Sequence, residues 1–319
     1  MGLSLCSLIP KPNQLIAVCA RCLRTFARTT LPIMPPPPRL ALETTLLTHG
    51  VPRACALPLA LELAGLARAH GCEPALMGVL RGQPIAGMTE TQLAQLLDEP
   101  SIEKINTSSL AAAIAQGRSG ATTVSTTIEL AARCGCRVFA TGGIGGVHKD
   151  LSAVLDISTD LIALTRWPVA VVTAGCKSIL DVRGTRELLE TLGVPVIGYQ
   201  SARFSAFYQR DGGTDTDARF DDIAPLARFV RATLAHSNRG IIIANPIPHE
   251  HEINADDWAR WLAAAEAKAR SSGVTGRGVT PAVLAALHDV SAGRTLSANI
   301  ALVKHNVQVG AMLAAAIQN

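Results

Sequence analysis

The stretch VFATGGIGGVHKDLSAVLDISTDLIALTRWPVAVVTAGCKSILDVRGTRELLETLGVPVIGY, residues 138–199, decides the fold. It holds three short β-type runs, Val138–Ala140, Val169–Thr173 and Pro195–Tyr199, each ending in small or polar residues and separated by helical patterns. Strands that alternate with helices predict an α/β fold. Ligands bind at the carboxyl ends of the strands in such sheets. His148 and Lys177 follow the first two runs, where a site is expected.

Working outward, composition bounds what the site belongs to. The chain has 319 residues, 48% hydrophobic and 17% charged, enough to bury a large core; with 3% aromatics that core must be Leu, Val, Ile and Ala packing. The formal charge is +4, but setting aside Lys11, Arg21, Arg24 and Arg28 leaves 25 basic against 25 acidic residues. Without a basic run or interleaved aromatics, this balance argues against a nucleic-acid partner. No apolar run reaches the ~18 residues that cross a bilayer, which predicts a soluble protein with no membrane partner.

Residues 1–33 contain no acid and are followed by Met34 and four prolines, so residues 1–38 read as a leader or a mis-started segment outside the fold, and 39–319 as one large domain. The protein is expected in the cytoplasm, or in a mitochondrion if 1–33 is a presequence. The eight cysteines lack the paired spacing of a zinc site or a disulfide framework and read as reduced thiols.

Other segments carry weaker signals. LALETTLLTHG, residues 40–50, reads as a strand running into a loop, in which Glu43 is either solvated or a buried acid suited to proton donation. Most strand carboxylates are solvated, and the run alone favours that reading. Leu59, Leu63 and Leu66 mark a helix closed by Gly71, Arg81-Gly82 a hairpin turn, and Thr89 with Gln92 a capping box. Lys104, taken alone, is a surface charge. GATTVSTTIELAARCG, from 120, is a hydroxyl-rich approach to a helix that faces an anion or only caps itself.

TGGIGGVHK, 141–149, matches neither GxGxxG nor a P-loop. Its glycines let backbone NH groups approach a ligand beside His148, or form a plain turn. Asp156, Ser158 and Asp160 alternate, which suits a hard cation in an extended loop, although spacing alone favours a solvated helix N-cap. Lys177 sits after an apolar run and beside the expected N-terminus of the helix SILDVRGTRELLETLG. Desolvation and the helix dipole there disfavour the ammonium and favour a nucleophilic amine.

Taken in order, ALETT…THGxP, GATTV, VFATGGIGGVH, DIS-x-DL, PVAVV-x-AG-x-KSILD, LETLGVPVIGY, F-x-AFY, ANPIP and ANIALVKHN resemble the pseudouridine-5'-phosphate glycosidases, or indigoidine synthase A-like family, from about Leu40 to Ala315. The resemblance implies a single α/β domain with a mixed central β-sheet flanked by helices on both faces, a homotrimer, and a divalent metal, usually Mn2+. It also implies reversible cleavage of the C–C glycosidic bond of pseudouridine 5'-phosphate to uracil and ribose 5-phosphate. Carried over, Lys177 is the nucleophile forming an imine with C1', Glu43 the proton donor, and Lys104 and His148 line the sugar and base. Asp156 holds the metal through water, Ser158, Thr159 and Asp160 contact substrate, and Val124 touches the nucleotide. Thr141, Asn299 and Lys304 are candidates for the phosphate side. The chain departs from the family pattern at Pro52–Pro58, at Ile105-Asn106-Thr107 and at Ser205, where proline is usual. A Schiff-base lyase or aldolase on another sugar phosphate, or an inactive ligand-binding homologue, are the alternatives.

Overall fold

The computed structural model describes residues 37–149, 155–273 and 279–318. The leader expected over 1–38 lies outside them except for Pro37 and Pro38, and Pro38 already accepts a backbone hydrogen bond from Glu73 at 2.7 Å. The strands are β1 (Arg39–Leu42), β2 (Glu73–Leu80), β3 (Gln83–Ala86), β4 (Glu103–Ile105), β5 (Gly120–Thr122), β6 (Val138–Ala140), β7 (Ala170–Thr173), β8 (Val196–Tyr199), β9 (Arg203–Ala206), β10 (Gln209–Asp215), β11 (Ala218–Phe220) and β12 (Ile241–Ala244). Ten form one sheet in the order β11-β8-β12-β7-β6-β1-β2-β5-β4 with β3 on β2, while β9 and β10 form a separate antiparallel pair. Pairing is parallel except for β2 with β3 and with β5, so the sheet is mixed, as expected.

Alternation along the central strands builds two cores, one on each face. Leu40, Leu42, Val138, Ala140, Ala170, Val172, Ile241 and Ile243 pack into one, with the helices Arg53–Ala69, Ile223–His236, Ala255–Ser271 and Arg294–Gln318. Ala41, Phe139, Val171 and Ile242 face the other, under the helices Val124–Arg133 and Thr159–Arg166. The final helix, Arg294–Gln318, has an 18-residue window of mean hydropathy 1.4, so by length and composition it could cross a membrane, contrary to the sequence expectation. Its apolar face is spent instead on the sheet: Gly310 approaches so closely that an added Cβ would lie 3.0 Å from Leu40 and 3.2 Å from Ala140.

Local signals in the sequence are realised. Arg81 and Gly82 both take positive φ, 49° and 74°, as a two-residue hairpin turn requires. Thr89 and Gln92 form the reciprocal capping box, and Asn254 accepts from Asp257 N to cap its helix. The 40–50 segment differs from expectation. The strand stops at Leu42 and Leu46–Gly50 winds into a single π-type turn, because Thr44 donates to Met77 O (2.9 Å) and Thr45 to Thr122 O (2.7 Å), drawing the chain across the middle of β2 and the end of β5.

Candidate active site

The carboxyl ends of β1, β6 and β7 converge on one pocket. Its lining includes Glu43, Lys104, Gly142, Gly143, Lys177 and Asn299, with an aromatic side made of Phe207, Tyr208 and Trp258. Glu43 is the residue after β1. It is half-buried rather than solvated, since the π-type turn folds over it and Thr141, the residue after β6, donates its hydroxyl to Glu43 Oε1. Burial pushes the Glu43 carboxyl above the ordinary carboxylate range, outweighing the opposing pull of the Lys177 ammonium, the Thr141 bond and Lys104. An acid in that setting holds its proton nearer neutrality and can donate it.

Lys177 is placed by a brace of backbone bonds. Its NH donates to Ile144 O (3.1 Å), Ile144 NH to Gly175 O (3.0 Å), Cys176 NH to Ser205 O (3.3 Å) and Phe207 NH to Ala174 O (2.8 Å). The turn is thereby tied to the loop after β6 on one side and the end of β9 on the other. Ser178 locks the same corner by donating to Ala206 O and accepting from Tyr208 N. The expected helix dipole is not beside the lysine: the next helix begins at Val182, capped by Asp181, and residues 178–180 are turn. The pocket is therefore set by strand ends and aromatic walls.

Lys104, on β4, faces the same pocket while keeping much of its surface exposed. Partial burial, and secondarily repulsion from Lys177, hold its pKa below the usual lysine range, with Glu43 opposing. Asn299 is buried against Gly142 and Gly50, and its Oδ1 has no partner among the described residues, leaving an acceptor available to a ligand. Burial also lowers the pKa of His49, assisted by Lys104. Its ring is held between Thr48 Oγ1 (2.6 Å) and Ile102 O (3.0 Å).

Other residues expected in the site do not line this pocket. Val124 opens the helix Val124–Arg133 with its side chain buried in the core. Ser158 caps the helix Thr159–Arg166 by accepting from Asp160 N, and Thr159 Oγ1 meets Ser125 Oγ at 3.0 Å. Asp160 is buried, not solvated: its two oxygens accept from Gly145 N (2.8 Å) and Ser125 N (2.9 Å). Ser158 Oγ and Asp160 Oδ2 thus both face Gly145, while Asp156 lies exposed beside His148. His148 Nε2 lies 3.6 Å from Asp156 Oδ2, and neither lines the Lys177 pocket; residues 150–154 beside them lie outside the described residues. Among the described residues no group of three His, Cys, Asp or Glu side chains is placed to hold a metal. Lys304 pairs with Glu62 at 2.6 Å and lines a separate groove with His251 and His305, away from Lys177.

The glycine loop earns its composition by packing. A Cβ on Gly143 would lie 2.4 Å from Phe207, on Gly145 2.3 Å from Ser158 Oγ, and on Gly146 2.2 Å from Thr185 Oγ1. Several of the loop's NH groups, those of Ile144, Gly145, Val147 and His148, are already bonded within the protein. The loop is thus a packed wall of the pocket, which Gly142 and Gly143 line. Residue-level reading missed His49, Ser178, Trp258 and His288 as lining; His49 and Ser178 lie inside motifs quoted above, whereas Trp258 and His288 belong to helices with no motif.

Residues 35–316 match the family model described as indigoidine synthase A like protein. The chain is 45% identical over 282 residues to a pseudouridine-5'-phosphate glycosidase of Methylobacterium nodulans, covering 88% of this chain and 84% of that one. It is 42% identical over 288 residues to that of Symbiobacterium thermophilum, covering 88% and 93%. Its fold superposes on the crystal structure of an indigoidine synthase A-like protein from Thermotoga maritima with a TM-score of 0.82 at 34% identity, over 89% of this chain and 94% of that one. It also matches the prealnumycin C-glycosynthase AlnA, crystallised with ribulose 5-phosphate, with a TM-score of 0.81 at 33% identity, over 88% and 91%.

Proposed function

The chain belongs to the indigoidine synthase A-like family, and on that premise we propose that it is a pseudouridine-5'-phosphate glycosidase, hydrolysing its substrate to uracil and ribose 5-phosphate. The observation that carries this reading is the convergence of Lys177, Glu43 and Lys104 on one partly aromatic pocket at the strand ends. Uracil leaves through carbon, so it cannot depart as an ordinary N-linked base does. Lys177 Nζ attacks C1' while the C1'–O4' bond breaks and Glu43 delivers its proton to O4', opening the ribose. The secondary ammonium so formed gives a proton back to the Glu43 carboxylate, and that proton passes to the base C5 as the C1'–C5 bond breaks, the freed nitrogen lone pair forming a protonated imine between Lys177 and C1'. Water adds to that imine, freeing the aldehyde of ribose 5-phosphate and the amine. Lys104 supplies a second cation for the anionic substrate. The paired carboxylates of ordinary glycoside hydrolysis are not needed.

The manganese that the resemblance implies does not find a cage among the described residues. Asp156 is exposed beside His148, Asp160 is consumed by two backbone NH groups, and one carboxylate serves only a water-mediated ion. No step above is routed through a metal ion. The homotrimer implied by the resemblance is part of the same proposal, to be read by sedimentation equilibrium.

Incubation with pseudouridine 5'-phosphate, with manganese and with chelator, tests the reading by following uracil and ribose 5-phosphate. No product above a Lys177→Ala control sinks it. Borohydride reduction in the presence of ribose 5-phosphate tests the imine, since a labelled peptide without Lys177 contradicts the assignment. Sugar-phosphate labelling at Lys177 without uracil release favours the second reading, a lyase on another sugar phosphate, to which the ribulose 5-phosphate complex of AlnA lends support.

A further inference from the structure

His288 sits on the helix Val279–Val290, lines the same pocket, and is half-buried there. Its ring is oriented by the Ser291–Thr295 pair leading into the next helix. Ser291 Oγ lies 3.4 Å from His288 O and 2.9 Å from Thr295 Oγ1, and it accepts from Thr295 N at 3.2 Å. Thr295 Oγ1 lies 2.9 Å from His288 Nδ1, a contact in which the hydroxyl accepts when the ring hydrogen sits on Nδ1. In that tautomer Nε2 is a bare acceptor on the opposite edge of the ring, with no hydrogen-bond partner among the described residues. Burial, only partly opposed by Asp289, favours this neutral form.

The corner around it is built for a flat group. Tyr208 lies 4.7 Å from Phe207 and 5.4 Å from Trp258, centroid to centroid. Arg294, next to Thr295, bonds Asp257 at 3.1 Å and covers Trp261 at 4.9 Å, pinning the His288 corner to the helix that carries Trp258. The charged groups Glu43, Lys104 and Lys177 enter the pocket from strand ends instead. A C-linked uracil keeps both of its ring N–H groups, whereas an N-linked uracil has lost one to the glycosidic bond.

We propose that His288 Nε2 accepts a hydrogen bond from a ring N–H of the uracil base, which makes His288 a base-recognising residue of this site. The assignment rests on the proposed function. It gives the pocket a means of telling the base by its imide hydrogens, which bulk and stacking on the aromatic wall cannot supply.

The test compares wild type, His288→Phe and His288→Gln on pseudouridine 5'-phosphate and on its N1-methyl and N3-methyl derivatives. One neutral hydrogen bond corresponds to about 3- to 10-fold in affinity. His288→Phe, folded by circular dichroism, is expected to raise KM by that factor with kcat nearly unchanged, and His288→Gln, which keeps an acceptor oxygen, to recover most of the loss. One methyl derivative is expected to be penalised in wild type and not penalised further in His288→Phe. Uracil titrated calorimetrically should bind His288→Phe more weakly by the same factor. An unchanged KM and uracil affinity in His288→Phe, or a methyl penalty of the same size in both proteins, overturns the assignment while wild-type turnover leaves the glycosidase reading standing. A wild type that neither turns over the nucleotide nor binds uracil removes both.

Discussion

The hydroxyl of Thr141 donates to the carboxylate of Glu43, joining the first residue past β6 to the first residue past β1. The Thr141 carbonyl in turn accepts from Asn306 Nδ2 (2.7 Å), and Asn306 Oδ1 accepts from Asn245 Nδ2 (2.9 Å). All three residues are buried. The acid is therefore held by a polar chain that reaches from two adjacent strands, through the final helix, to the end of β12.

Thr141→Val keeps the shape of the side chain and removes the donor. A hydrogen bond to a carboxylate favours its charged form, so losing it moves the Glu43 pKa further upward. A donor must be protonated to act, so the alkaline limb of the kcat profile shifts to higher pH. A pH-rate series with an unmoved limb, or one displaced to lower pH, contradicts the role given to Glu43.

Glu43→Gln separates stability from activity. The folded pKa of Glu43 is raised, so the folded state holds more protons than the unfolded chain between the ordinary carboxylate value and the folded one. Stability therefore falls as pH rises through that window, and the loss is complete above it. Glutamine has no such cost. The variant is expected to match wild type near pH 4 and to melt higher above the window, while kcat falls by about 100- to 10,000-fold as a lost general acid does. Melting curves at several pH values check the sign.

Much of the fold was legible because its signals are local. Arg81-Gly82, the Thr89–Gln92 box and the apolar runs at β6, β7 and β8 each depend on neighbours in sequence, and each stands as read. The burial of Glu43 was not legible, since it follows from Thr44 and Thr45 bonding to Met77 and Thr122, partners 33 and 77 residues away. Spacing likewise gave no sign that Asp160 is committed to two backbone NH groups, or that Lys304 finds Glu62 on another surface. His288 was invisible because no motif surrounds it and its ring is placed by Thr295, in the next helix.

Asp160→Asn tests the claim that this carboxylate is structural. Its two oxygens serve Gly145 N and Ser125 N, joining the glycine loop to the helix Val124–Arg133 in a buried setting. An amide offers one oxygen and turns an NH2 toward the second donor. The expected loss is about 2–4 kcal/mol, given roughly 1.5–3 kcal/mol for a hydrogen bond to a charged group. Urea denaturation measures it, and a change below about 0.5 kcal/mol would place Asp160 among the solvated caps after all.

Gly175→Ala and Gly135→Ala form a pair that isolates how Lys177 is placed. Both glycines have positive φ, 82° and 78°, so alanine strains the backbone at each by about 1–2 kcal/mol. They differ in what surrounds them. A Cβ on Gly135 meets nothing within 4 Å, whereas a Cβ on Gly175 would lie 1.8 Å from the Ser205 carbonyl oxygen. That oxygen accepts from Cys176 N, so the chain cannot relieve the clash without opening the turn that carries Lys177. Gly135→Ala is expected to lose only the conformational cost and to keep its kcat, while Gly175→Ala loses at least about 2 kcal/mol more and, in its folded fraction, most of its turnover. A 1 Å displacement of a reacting group suffices for about a 100-fold loss. Equal destabilisation of the two variants, or wild-type kcat in folded Gly175→Ala, refutes the brace between β7 and β9 as the device that aims the lysine.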